Sequence, residues 1–338
     1  MDHNRSKESA IARSKKRKSD QKIKKKLAKQ LQARIKTGAQ NRLRHENVLL
    51  KDALTKFRAK IHTGSRSHHR TTIGKHQSQL AKKAVVDHLT SSPVVLSDDF
   101  VVEVKKTKFC GTFGAISVVR LAELGVMAVC KTISQSTDLD IAAEGRVAHA
   151  LGGHRFFPYC YGIILPNRLV LQMLGDYDDG LSVNNFGQIA KLVSKLQLVD
   201  LSCQLLEAIS FMHQYGLLHN DIKPNNILVH GKDNMKLKVI DFGKVTLINN
   251  PYIYNLNSEQ QKTYNKYHSY LAYELRNIPN TGQSVLTDTF SVGYCLKHTG
   301  YDNVDIIYDT GRRMKTQSPT DRLSIDSALV LLKKYIHN

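Results

Sequence analysis

Half of the chain's basic side chains are crowded into its first quarter, and that asymmetry decides where a core can form. Residues 1–83 hold 25 Lys+Arg against 5 Asp+Glu, a net charge of +20, in a chain of 338 residues that has 50 and 29. The rest, residues 84–338, comes to +1. Runs such as Lys15-Lys16-Arg17-Lys18 and Lys24-Lys25-Lys26 have to stay in solvent, because like charges gathered away from water repel too strongly to be buried. Two apolar stripes cross the segment: Ile23, Leu27, Leu31 and Ile35, then Leu50, Leu54, Phe57 and Ile61. Their spacing is that of a helical face, so helices are expected there, completed by a partner that covers the stripe. Residues 63–80, with Ser, Thr, Gly and His, read as a loop or linker. The division expected is a basic extension over 1–95 and a folded domain over 96–338.

An apolar fraction of 41% leaves enough material for that domain's core. No stretch approaches the roughly 20 consecutive apolar residues that span a bilayer, and the first twenty residues lack the apolar run of a secretory signal. The five cysteines, Cys110, Cys130, Cys160, Cys203 and Cys295, show no zinc-type pairing, and their odd number argues against a full disulfide framework. A reducing compartment, cytoplasm or nucleus, is the expectation. His62, His68, His69 and His76 fit no zinc spacing either, and read as a solvated loop.

Alternation and β-branched residues take over near residue 100. Phe100–Phe109, Ala115–Leu121 and Val126–Ile133 read as three strands joined by Gly-containing turns. A helix is expected over Ile141–Leu151, then strands over Tyr159–Ile164 and Leu169–Leu174. Leu198, Leu201, Leu205, Ile209 and Met212 mark a long amphipathic helix ending near Tyr215, followed by short apolar strands at Ile227–Val229 and Leu237–Ile240. The chain from Ser284 onward looks helical. Five strands and one helix followed by a mostly helical part predict an α+β fold of two lobes, 96–174 and 175–338.

Between the long helix and the next strand stands His219-Asn220-Asp221-Ile222-Lys223-Pro224-Asn225-Asn226, and after Leu237–Ile240 comes Asp241-Phe242-Gly243. These resemble the catalytic loop and metal-binding triplet of the eukaryotic protein kinase superfamily. The chemistry asks for such parts: ATP brings several negative charges that need metal ions, and those ions need oxygen ligands. An acceptor hydroxyl needs a carboxylate within hydrogen-bond reach. The resemblance implies ATP and Mg2+ as cofactors, with Asp221 deprotonating the acceptor, Lys223 neutralising the moving phosphoryl group, and Asn226 and Asp241 holding magnesium. It also implies a two-lobed kinase-like fold and a protein substrate phosphorylated on Ser or Thr.

Further matches extend it to about residues 100–338. Gly111-Thr112-Phe113-Gly114, with Ile116, resembles the glycine loop over the phosphates, although Phe109 replaces its first glycine. Taken alone this stretch reads as a plain β-turn; its place before the third strand favours the phosphate loop. Lys131 matches the lysine that grips the phosphates and Glu144 its partner on the following helix. Leu169–Gly175 resembles the adenine-binding hinge, which includes Gln172 and Met173 among its nucleotide contacts. Tyr270-Leu271-Ala272-Tyr273-Glu274 resembles the end of the activation segment; the resemblance pairs Glu274 with Arg322 and ties the catalytic loop down through Asp288.

Asn220 stands where the family has an arginine that binds a phosphorylated activation segment, so activity without that modification is expected. Tyr267 occupies the place of a threonine that touches the catalytic lysine and aspartate. Only 50 residues follow Asp288, which reads as a reduced lower lobe. Compact, divergent kinases of this kind occur in large DNA viruses, and a viral kinase would be expected in the host nucleus. Cys110 and Cys130 read as inert small residues, since nothing around them lowers a thiol pKa.

The basic segment could neutralise nucleic acid, anionic membrane or acidic proteins, and Lys15–Lys18 with Lys24–Lys26 resembles a nuclear-import signal. Phe57 is its first aromatic residue, so base stacking is not expected. Nuclear import with nonspecific nucleic-acid contact ranks first, then docking on acidic protein, with a solvated tail as the bland alternative. An alternative for the whole chain is a pseudokinase scaffold that binds without transferring; the presence of Lys131, Glu144, Asp221, Asn226 and Asp241 together weighs against it.

Overall fold

A computed structural model describes residues 94–111, 114–122, 124–133, 141–175, 183–231, 234–300 and 304–337. The stripes at 23–35 and 50–61, the histidines at 62–76 and the import-like runs lie outside the described residues.

The first lobe is a five-stranded antiparallel sheet of order β1-β2-β3-β5-β4. Its strands are β1 (Val101–Gly111), β2 (Gly114–Leu121), β3 (Met127–Ile133), β4 (Cys160–Ile164) and β5 (Arg168–Gln172), and helix α1 (Ile141–Leu151) enters between β3 and β4. Each expected strand forms, within two or three residues of its expected ends. Alternation explains the layers: Val119, Leu121, Ala128, Cys130, Ile164 and Val170 bury one face. Ile133, Ile163, Leu169 and Leu171 join the larger core that continues under α1 into the helical lobe.

The second lobe is built on α3 (Lys195–Gln214), which follows the short β6 (Asn184–Asn185) and α2 (Phe186–Ile189). Leu198, Leu201, Leu205, Ile209 and Met212 are all buried, as their helical spacing requires. Ser194 caps the start: its Oγ accepts from Gln197 N at 3.3 Å, and Gln197 Oε1 accepts from Ser194 N at 2.9 Å. Such a cap is worth about 1 kcal/mol. Gly216, at φ 75°, then turns the chain out of the helix, a conformation that costs a residue with a Cβ.

Beyond it run β7 (Leu217–Leu218), β8 (Ile227–His230), β9 (Lys236–Val239), β10 (Thr246–Leu247), β11 (Ile253–Tyr254), α4 (Ser258–Tyr267), α5 (Tyr273–Asn277), β12 (Thr281–Gly282), α6 (Val285–Gly300), α7 (Asp305–Met314) and α8 (Ile325–His337). The helical character expected after Ser284 is thus α6, α7 and α8. Helix α4 was not expected. Its sequence, SEQQKTYNKY, buries no residue, so it has no apolar stripe for periodicity to find. Among the described residues no helix is long and apolar enough to cross a membrane.

Candidate active site

Lys131 lies on β3 and Glu144 in the first turn of α1, facing the sheet. Lys131 Nζ donates to Glu144 Oε1 at 2.8 Å and Oε2 at 3.1 Å, and to Asp241 Oδ1 at 2.7 Å. Glu144 is only 2% exposed, and a buried carboxylate needs such a partner. Burial alone would pull the Lys131 ammonium down, but Glu144 and then Asp241 outweigh it and hold the pKa above its ordinary value. Lys131 is therefore a fixed cation at neutral pH.

The pairing of β8 with β9 brings the next two residues together. Ile227 lies opposite Val239, and Ile240 N donates to the Asn226 carbonyl at 3.0 Å. Asn226, just before β8, and Asp241, just after β9, therefore share one end of the hairpin. Asp241 adopts φ 67°, a left-handed conformation that Asp tolerates better than most residues. Behind it Phe242 is buried, its ring edge-on to Phe157 at 6.0 Å.

Asp221, 1% exposed, sits at the centre. Its Oδ2 accepts from Lys223 Nζ at 2.8 Å and Asn226 Nδ2 at 3.0 Å, and its Oδ1 from Tyr270 Oη at 3.0 Å and Lys244 Nζ at 3.2 Å. Burial would raise its pKa, yet Lys244 and Lys223 more than offset that and hold the carboxyl below its usual range. A mere turn carboxylate would not be buried with four donors.

The loop that carries Asp221 is held from α6. Asp288 accepts from His219 N at 2.8 Å and Asn220 N at 2.9 Å, and contacts His213 Nε2 at 3.0 Å. These bonds fix Asn220 at φ 67°. Its side-chain Nδ2 donates to the Lys244 carbonyl and to Thr246 Oγ1, both at 2.8 Å, beside the pairing of β7 with β10. Farther out, Arg322 makes the bidentate pair with Glu274, 2.7 Å to each oxygen. Both are buried, and the remaining guanidinium N–H groups go to the carbonyls of Leu286, Thr316 and Gln317.

The family model for the protein kinase domain matches residues 109–309, a span that contains Lys131, Glu144, Asp221, Asn226, Asp241 and Asp288. The chain belongs to the protein kinase family. It is 39% identical over 69 residues to the serine/threonine-protein kinase PKH2 of Saccharomyces cerevisiae, covering 19% of this chain and 6% of that one. It is 29% identical over 154 residues to myosin light chain kinase 2 of Oryctolagus cuniculus, covering 44% and 25%. It is also 25% identical over 144 residues to CBL-interacting protein kinase 21 of Oryza sativa, covering 41% and 27%. The matches thus span about a quarter or less of these curated relatives' length.

Other kinase positions are placed in part. Gly111 and Gly114 pair across the β1–β2 turn, while Thr112 and Phe113 lie outside the described residues. A Cβ on Gly114 would stand 2.0 Å from the Thr132 carbonyl of β3, so the packing of the neighbouring strand demands that glycine whatever the loop covers. Ile116 lies opposite Lys131 on the adjacent strand. Gln172 ends β5, and its N–H and side-chain oxygen are both engaged by Tyr159; Met173 follows it, half-buried. Cys130 is buried, and burial pushes its thiol up to about 11, in keeping with an inert residue. Cys110 has no described side chain.

Two contacts on Asp221 were missed by sequence reasoning. Tyr267, which stands where the family has a threonine that touches the lysine and aspartate of the loop, is 63% exposed at the end of α4. Tyr270 reaches Asp221 instead. Lys244, directly after the Asp-Phe-Gly triplet, is the second. A cation in that place was the only signal in the sequence, and it does not say which way the side chain turns.

Proposed function

We propose that this protein is an ATP- and magnesium-dependent kinase that phosphorylates Ser or Thr hydroxyls of proteins. The observation that carries the reading is the buried Asp221 carboxylate, flanked by Lys223 and bonded to Asn226, which shares one end of the β8–β9 hairpin with the Asp241 that meets the Lys131–Glu144 pair. A fixed cation, an amide and two carboxylates converge where a polyphosphate and a hydroxyl would meet.

Lys131, oriented by Glu144, binds phosphate oxygens of ATP beneath the Gly111–Gly114 turn. Asn226 and Asp241 hold magnesium; an amide and a carboxylate are oxygen ligands of the kind this ion takes alongside water and phosphate. Asn226 turns its Nδ2 to the Asp221 carbonyl at 2.9 Å and to Oδ2 at 3.0 Å, which leaves its oxygen unused by that carboxylate and able to serve as the metal ligand. Magnesium supplies charge neutralisation on the phosphates when bound. Asp221 takes the proton of the acceptor hydroxyl as its oxygen bonds to the γ-phosphorus and the bond to ADP breaks. Lys223 stabilises the charge on the phosphoryl group in transit.

No phosphorylated activation segment is needed on this reading. Asn220 holds the start of that segment by neutral hydrogen bonds to Lys244 and Thr246, where an arginine would need a phosphate partner. Residues 1–83 serve nuclear import and nonspecific contact with nucleic acid or acidic protein. Deleting them should abolish any DNA binding, and that binding should weaken steeply with salt in the full chain.

The test is incorporation of label from γ-labelled ATP with magnesium, into the protein itself and into acidic and basic generic substrates, followed by phosphoamino-acid analysis. Phosphoserine or phosphothreonine formed by the wild type and absent with Asp241→Ala supports the reading. ATP binding without any transfer would favour a scaffold.

A further inference from the structure

Every lone-pair site of the Asp221 carboxylate is in use, since such a group has about four and it accepts from Tyr270, Lys244, Lys223 and Asn226. Lys223 and Asn226 belong to the same loop as Asp221 and would move with it. Tyr270 comes from 49 residues away and is held independently of that loop. Its backbone carbonyl accepts from Ser291 Oγ at 2.8 Å. Its ring meets Tyr294 edge-on at 6.4 Å and His268 at 5.8 Å. Asp288, Ser291 and Tyr294 lie at i, i+3 and i+6 of α6, hence on one side of that helix. One helix thus fixes the backbone before Asp221 and also the phenol that fixes its carboxylate. The same ring lies beneath Lys223, whose Nζ is 5.6 Å from the ring centroid.

We infer that Tyr270 is the positioning residue for the catalytic base, replacing the contact that Tyr267 does not make. The inference rests on the kinase reading for its catalytic consequence. Of the two donors on Oδ1, Lys244 has the longer contact, 3.2 Å, and a side chain 35% exposed. The acceptor hydroxyl therefore enters on the Lys244 side and Tyr270 stays in place. A neutral, buried phenol suits this task, because it orients a carboxylate without competing with the cations that handle phosphate.

The test is Tyr270→Phe in the full chain, which keeps the ring and its packing and removes only the hydroxyl. We expect kcat to fall about tenfold, with KM for ATP and for the protein substrate within about twofold and the melting temperature lowered by only about 3–6 °C for the lost bond. On an Asp221→Asn background the same change should cost little further in single-turnover rate, because both act through one group. A wild-type kcat, a loss carried by KM, or a full tenfold loss on both backgrounds would overturn the inference. A second readout does not depend on activity: the Tyr270 hydroxyl proton should exchange slowly in the wild type and fast in Asp221→Ala. Slow exchange in a wild type that transfers no phosphate would leave the positioning contact standing and sink the kinase reading. Fast exchange in the wild type would sink the contact, whatever the activity.

Discussion

Asp288→Asn tests how the catalytic loop is held. In the native protein both carboxylate oxygens are used, Oδ1 by Asn220 N at 2.9 Å, Oδ2 by His219 N at 2.8 Å and His213 Nε2 at 3.0 Å. An asparagine offers one acceptor oxygen, so its amide N–H must face one of the two backbone N–H groups. Bonds to a charged group contribute about 1.5–3 kcal/mol, and a buried donor left without a partner costs about 1–3 kcal/mol. A loss of about 3 kcal/mol is therefore expected, a large share of the roughly 5–15 kcal/mol that holds a domain together. Urea unfolding followed by fluorescence would show it as a midpoint lowered by roughly 1–2 M, for a slope near 2 kcal/mol per M. Asp309→Asn is the control: its pair with Arg312 is solvent-exposed and three residues apart, and should cost no more than about 0.5 kcal/mol. If Asp288→Asn unfolded within about 0.5 kcal/mol of the wild type, the loop would have to be held by something other than α6.

Other consequences follow from single groups. Glu144→Gln removes one of the two carboxylates on Lys131 and should weaken ATP binding about tenfold or more, as read by calorimetric titration. Asn220→Ala deletes the bonds to Lys244 and Thr246; limited proteolysis should then cut faster near residues 244–257, and phosphatase treatment should alter neither protein's activity. Burial pushes Cys130 up to about 11 and Cys160 and Cys203 up to about 12, from a starting value of 9.0. These thiols should resist alkylation in the native protein at pH 8 and react in urea. Because the folded state holds their protons more tightly, stability should fall as pH rises past 9, where the unfolded thiols ionise first.

The parts legible in the sequence were those written in local pattern. Helix α1 was expected over the residues it occupies, Ile141–Leu151, and the stripe from Leu198 to Met212 defined α3. Asp221, Asn226 and Asp241 were reached through the resemblance of their motifs to the kinase catalytic loop and metal-binding triplet, and the pairing of β8 with β9 is what brings Asn226 and Asp241 to one end of a hairpin. The pair of Glu274 with Arg322 spans 48 residues and was reachable by resemblance alone. Helix α4 was invisible, since it buries nothing and is held at its start by the Asn257 cap, whose Oδ1 accepts from Gln260 N at 2.9 Å. The contacts of Tyr270 and Lys244 with Asp221 were missed for a different reason. Which side chain of an activation segment turns inward depends on the tertiary path of the chain, and Tyr267 differs from Tyr270 by only three residues.

The most direct test of phosphoryl transfer through Asp221 is the single-turnover rate of Asp221→Asn beside its affinity for ATP. If Asp221 is the base, the rate falls by orders of magnitude while ATP affinity stays within about threefold of the wild type, because Lys131, Asn226 and Asp241 are untouched. An unchanged rate would contradict the assignment of the base, and an equal loss of ATP affinity would show that Asp221 serves binding instead.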